Sequence, residues 1–135
     1  MTKLYKLLTV FIVLLVLGSC LEDDTTDLLD DRDAFLGSWN VSESCSKDAY
    51  SVIIETDPTN SAQVLIRNFW NTGSCSNSVY GIVAGSSIYI PKQDFCSGDF
   101  NADGSGEMIK NAITWSYSVN DGADLFNCTA TYTRP

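Results

Sequence analysis

Asp99, Asn101 and Asp103 alternate along Asp99-Phe100-Asn101-Ala102-Asp103-Gly104-Ser105-Gly106-Glu107. Oxygen ligands at alternate positions followed by glycine match the first half of a calcium loop. The cation takes several hard oxygens, and the glycine permits the sharp turn that gathers them. The candidate ligands are Asp99, Asn101, Asp103 and Glu107, and the twelfth position, where a bidentate glutamate would sit, is Lys110. The chain contains no histidine. Ser-His-Asp and Cys-His nucleophilic sites and histidine-ligated zinc are thereby excluded. The remaining acids show no spacing that suggests a catalytic carboxylate pair. The expectation is a protein that is not an enzyme and has no cofactor, with calcium as the one candidate ion.

A second site of chemistry lies near the start. Lys3 and Lys6 precede an apolar run from Leu7 to Leu17 broken only by Thr9. That run has the length of a signal h-region and falls short of the roughly 20 residues a membrane span needs. It ends in Leu17-Gly18-Ser19-Cys20, which resembles the lipobox of a bacterial lipoprotein. The resemblance implies cleavage after residue 19 and acylation of Cys20. Two or more acyl chains, such as palmitate, hold a protein stably at a membrane where one does not. Residues 1–19 then form the signal peptide.

The stretch 21–33 carries seven acids and one base. Such a block repels itself and buries no core, so residues 20–34 read as the lipidated cysteine followed by a disordered acidic tether. Acids directly after the lipid cysteine also resemble the surface-export signal of lipoproteins from the Bacteroidota. The implied location is the outer membrane, lipid-anchored and exposed at the cell surface. Beyond Asp33 five bases (Lys47, Arg67, Lys92, Lys110 and Arg134) face ten acids, a net of −5. A basic face for phosphate is missing, so nucleic acid is not an expected partner. Residues 35–135 suffice for one domain with one modest core.

Short alternating runs separated by turn residues dominate that domain. Trp39 to Ser42, Tyr50 to Glu55 and Val64 to Phe69 read as the first three strands. Val79 to Val83 and Ile88 to Ile90 flank Ala84-Gly85-Ser86-Ser87 as a hairpin. A weak sixth strand near Glu107 to Lys110 turns into Ile113 to Val119, and Leu125 to Thr133 closes the chain. The fold class is all-β, an eight-stranded antiparallel meander that closes into a barrel or packs as a sandwich.

Cysteine positions favour the barrel. Opposing Val83 with Ile88 sets a hairpin register that also opposes Cys75 with Cys96. Cys45 and Cys128 then remain for each other, one of three connectivities that four cysteines allow. The Cys45–Cys128 register also opposes Trp39 with Arg134 and makes first and last strands neighbours, so that the sheet loses its edges. Parity agrees: Trp39, Val41 and Cys45 share a face with Cys128, Ala130 and Tyr132, while the serines, threonines and asparagines share the other. Glu43 is the exception on the inner face. It lies either at the mouth of the barrel or beside a polar partner.

Leu36-Gly37-Ser38-Trp39 resembles the Gly-x-Trp motif of lipocalins and the wider calycin superfamily. The stretches Ile88–Gln93, Gly104–Gly106 and Cys128–Tyr132 extend that resemblance to small lipocalin-like lipoproteins of the Bacteroidota. It implies that Trp39 closes the barrel floor with a basic residue across it, a place Arg134 can take. The inward set includes Trp39, Ile54, Val83, Trp115, Tyr117, Phe126 and Tyr132. An eight-stranded barrel is just wide enough for its own side chains or for one small ligand, so these residues either fill the interior or line an apolar pocket. Phe69-Trp70 offers an exposed anchor or a buried residue with a cap. The expected function is non-catalytic binding of a small apolar molecule or a partner protein of the envelope. A calcium-dependent structural or adhesion module is the alternative.

Overall fold

The computed structural model describes residues 30–73, 75 and 78–135. The signal peptide, Cys20 and the tether to residue 29 lie outside them. Eight antiparallel strands follow one another around a closed barrel: β1 (Gly37–Glu43), β2 (Tyr50–Thr56), β3 (Gln63–Arg67), β4 (Val79–Ala84), β5 (Ser87–Phe95), β6 (Phe100–Ile109), β7 (Ala112–Asn120) and β8 (Leu125–Thr133). Closure is made by β1 against β8, with Val41 opposite Tyr132 and Glu43 opposite Ala130. Continued two residues along each strand, this register brings Cys45 to Cys128, which are disulfide-bonded with Cα atoms 5.5 Å apart. It is the register the cysteine spacing implied.

Alternation decides which side chains are inside. Along β7 Ile113, Trp115, Tyr117 and Val119 are buried, and along β8 Cys128, Ala130 and Tyr132. Intervening Thr114, Ser116, Asn127, Thr129 and Thr131 point outward to solvent, as a period of two requires.

One end of the barrel is closed as a floor. Phe35 is fully buried beneath it. The Trp39 indole N–H donates to Phe35 O at 2.8 Å. The Arg134 guanidinium lies over the Trp39 ring, 3.7 Å from its centroid, and donates to Leu36 O and Ala34 O. Gly37 has φ of 106°, and a Cβ there would sit 2.9 Å from Arg134 Nη1. The glycine of Gly-x-Trp is therefore favoured by its left-handed backbone, and its missing side chain leaves room for the arginine beside it.

The folded unit starts earlier than the tether boundary at residue 34 suggested. Asp31–Ala34 form a 3-10 turn capped by the Asp30 carboxylate. Arg32 pairs with Asp30 and donates to Asn60 O and Gln63 O of the β2–β3 turn. Asp31 accepts the Gly85 N–H of the β4–β5 turn. Composition marks these acids as solvated, but Arg32, the single base among them, docks the segment under the floor.

Pro91 interrupts the β4–β5 ladder, because proline has no N–H to donate. Direct pairing ends at Ile82–Tyr89. Gln93 replaces the missing rung with its side-chain amide, accepting from Tyr80 N–H at 2.9 Å and donating to Tyr80 O at 2.8 Å. Cys75 and Cys96 are bonded, as the hairpin register suggested. They are not joined by a continuous ladder, since Cys96 has left the strand for a 3-10 turn.

Candidate binding site at the mouth of the barrel

The second end of the barrel gathers the side chains that could recognise another molecule. Chain direction puts the end of β1, the start of β2, the end of β7 and the start of β8 there. Glu43, the inner-face exception, is the last residue of β1. Its Oε2 accepts the Tyr50 hydroxyl at 2.9 Å and also the Tyr117 hydroxyl. Tyr50 opens β2 opposite Val41, and Tyr117 comes from β7 opposite Cys128. Three strands that meet only because the barrel closes thus deliver one carboxylate and two phenols to one point.

A third phenol joins them. Tyr132 is fully buried, within electrostatic reach of Glu43 and Tyr50. Its hydroxyl has no hydrogen-bond partner among the described residues, and neither has the Trp115 indole N–H, whose ring packs 5.4 Å from that of Tyr132. Burial raises the pKa of all three tyrosines above the ordinary phenol value, and the Glu43 charge adds to it. All three are neutral donors at physiological pH. The ion pairs formed among the described residues are Arg32–Asp30 and Arg67–Glu55. Neither supplies Glu43 with a counter-charge.

Above this cluster sits a short cap. The 3-10 turn Phe69–Asn71 follows β3, and Phe69 drops inward against Tyr117 and Phe95. Trp70 is half-buried between Phe100 and Phe126, with ring centroids 5.4 and 5.3 Å away. Its backbone is left-handed, with φ of 55°. For a bulky residue this conformation is strained and persists only where the surroundings enforce it. Asn68 supplies part of that enforcement by donating to Ser51 O and accepting from Gly73 N–H. One aromatic of the Phe69-Trp70 pair is thus core and the other a plug.

The predicted ligand set separates by depth. Trp39 is in the floor; Ile54, Val83, Trp115, Tyr117 and Tyr132 pack against one another as a single core; Phe126 is half-buried at the rim. Those inward residues are buried, and the half-buried member of the set, Phe126, is at the mouth. Tyr50 was missed as a site residue, although its place two residues before Val52 gives it the inward parity.

The calcium-loop segment takes a different form from the one its spacing suggests. Phe100–Ile109 is the long strand β6, so the sixth strand begins well before Glu107. Asn101 donates to Asp94, and Asp103 accepts from Ser118 across the β6–β7 pair. An extended strand does not wrap oxygens around one ion, and no cluster of three or more acid, cysteine or histidine residues suited to a metal occurs among the described residues. The glycines serve packing instead. Gly104 and Gly106 face Tyr117 and Trp115 across the ladder. A Cβ on Gly106 would lie 2.7 Å from the Trp115 ring. No family model, curated protein or solved structure matches the chain.

Proposed function

We propose that this protein is a lipocalin-like lipoprotein of the Bacteroidota envelope, anchored in the outer membrane through acyl chains on Cys20 and exposed at the surface. Its role is non-catalytic. It binds a small, largely apolar molecule at the mouth of the barrel rather than deep inside it. The observation that carries this reading is Trp70: a strained, half-buried indole seated between Phe100 and Phe126, directly over a polar cluster. Strain that the surroundings must enforce gathers at ligand sites, and the half-buried rings of Trp70, Phe100 and Phe126 offer apolar contact area at the opening.

Native mass spectrometry of the protein from its own host tests the binding role, with retention of a small molecule as the expected result. Trp70→Ala should alter that retention while leaving the barrel folded. Recovery of the bare polypeptide from both would count against the reading. Cys20→Ala should move the protein from the membrane to the soluble fraction, and unchanged fractionation would refute the anchor.

A further inference from the structure

We propose that Glu43 anchors a site for a small organic ammonium ion, whose apolar part lies against Trp70, Phe100 and Phe126. The inference rests on the mouth-binding reading above and names the chemical class of the ligand.

Charge is the first argument. Glu43 points to the inner face, has two phenol hydroxyls on one carboxylate oxygen, and has no cationic partner among the described residues. Glu43 is half-buried, and its charge is met by two phenols and by no cation among the described residues. A bound ammonium would neutralise it, and the net negative domain draws cations toward it.

Geometry is the second. The Tyr132 hydroxyl is buried within electrostatic reach of Glu43 and has no hydrogen-bond partner among the described residues, which leaves an acceptor at the inner end of the cluster. Tyr50 and Tyr117 present their hydroxyls to the carboxylate, and Phe69 and Trp70 of the cap belong to the same aromatic cluster. Aromatic faces around a carboxylate hold organic cations through the ring quadrupole. A hard divalent metal fits less well, because calcium takes several carboxylate and carbonyl oxygens and only one carboxylate is present in the cluster. The packed interior limits the ligand to a small head with its tail at the rim.

The test is a titration of the purified full-length protein, read by tryptophan fluorescence, with benzylammonium and with benzyl alcohol. The two share a ring and differ in charge. Benzylammonium should bind at least tenfold more tightly. Equal affinities would overturn the ammonium assignment while leaving the mouth as a binding site. Failure of both probes would sink the mouth reading and the inference with it. Glu43→Gln should weaken benzylammonium about tenfold and leave benzyl alcohol unchanged. Undiminished benzylammonium binding by E43Q would show that Glu43 is only a structural hydrogen-bond acceptor. Should E43Q not fold, the comparison of the two probes on the unaltered protein still decides.

Discussion

Arg134 lies over Trp39, its guanidinium carbon 3.7 Å from the ring centroid, and ties the last residues of the chain to the first strand. The same guanidinium donates to the carbonyls of Leu36 and Ala34. Arginine suits this place because a planar fork can lie over a ring and donate at its edge together, which an ammonium cannot do. Arg134→Ala should lower stability by about 1–2 kcal/mol, from the ring contact and the charged hydrogen bonds. Arg134→Lys should recover less than half of that. Urea unfolding of the three proteins measures it, and a lysine variant as stable as the parent would show that charge alone matters.

The two disulfides close loops of very different length. Cys45–Cys128 spans 83 residues and Cys75–Cys96 spans 21. In the chain-entropy account the first restricts the unfolded chain more, by about 4–5 kcal/mol against about 3 kcal/mol. C45S/C128S should therefore melt at a lower temperature than C75S/C96S. The reverse order in calorimetry would mean that the cap near Cys75 contributes more to stability than closure of the ring.

Closure of the barrel was legible because the Cys45–Cys128 register also paired Trp39 with Arg134 and sorted apolar from polar residues. Those are independent signals of one pairing. The Asp99–Glu107 segment misled because alternate acids and glycines satisfy two patterns at once. In a loop they are ligands. In β6 the same period of two puts Asn101 and Asp103 opposite polar neighbours and leaves Gly104 and Gly106 facing aromatics. The choice between them depends on Trp115 and Tyr117, which lie on another strand, so no local reading of the segment makes it. The Gln93 bridge was hidden for a similar reason, since it forms only after Pro91 has broken the rung. Glu43 stood out as the wrong residue for its face, but its partners come from β2 and β7 and required the closed ring. Trp70 gave no signal of its left-handed backbone.

Gly106 tests the packing account of β6. Its missing side chain is the space into which the Trp115 indole fits. Gly106→Ala should cost roughly 1–3 kcal/mol by overpacking, in spite of the gain in strand propensity that alanine brings. The pair G106A/W115F should recover part of that loss, since the smaller ring gives way. Additive losses in a double-mutant cycle would show that the two sites do not touch.

The buried phenols make the fold sensitive to alkali. Tyr50, Tyr117 and Tyr132 all have pKa values raised by burial first, with the Glu43 charge in support. A raised value means that the folded state keeps its protons where the unfolded state loses them. The stabilising contribution is thus complete below the unfolded phenol value of about 10 and is lost as pH rises above it. For Tyr132, which is fully buried, the loss approaches about 1.4 kcal/mol per pH unit once the unfolded phenol ionises, and Tyr117 adds to it in the same direction. Phenolate absorbance of these side chains should therefore appear together with the loss of far-ultraviolet circular dichroism, not before it. Tyr117→Phe removes one of the contributing protons and should make stability fall less steeply with pH. A barrel that ionises all its tyrosines while still folded would place these hydroxyls in water, and the Glu43 cluster would then be an exposed hydrogen-bond network rather than a site beneath the Trp70 cap.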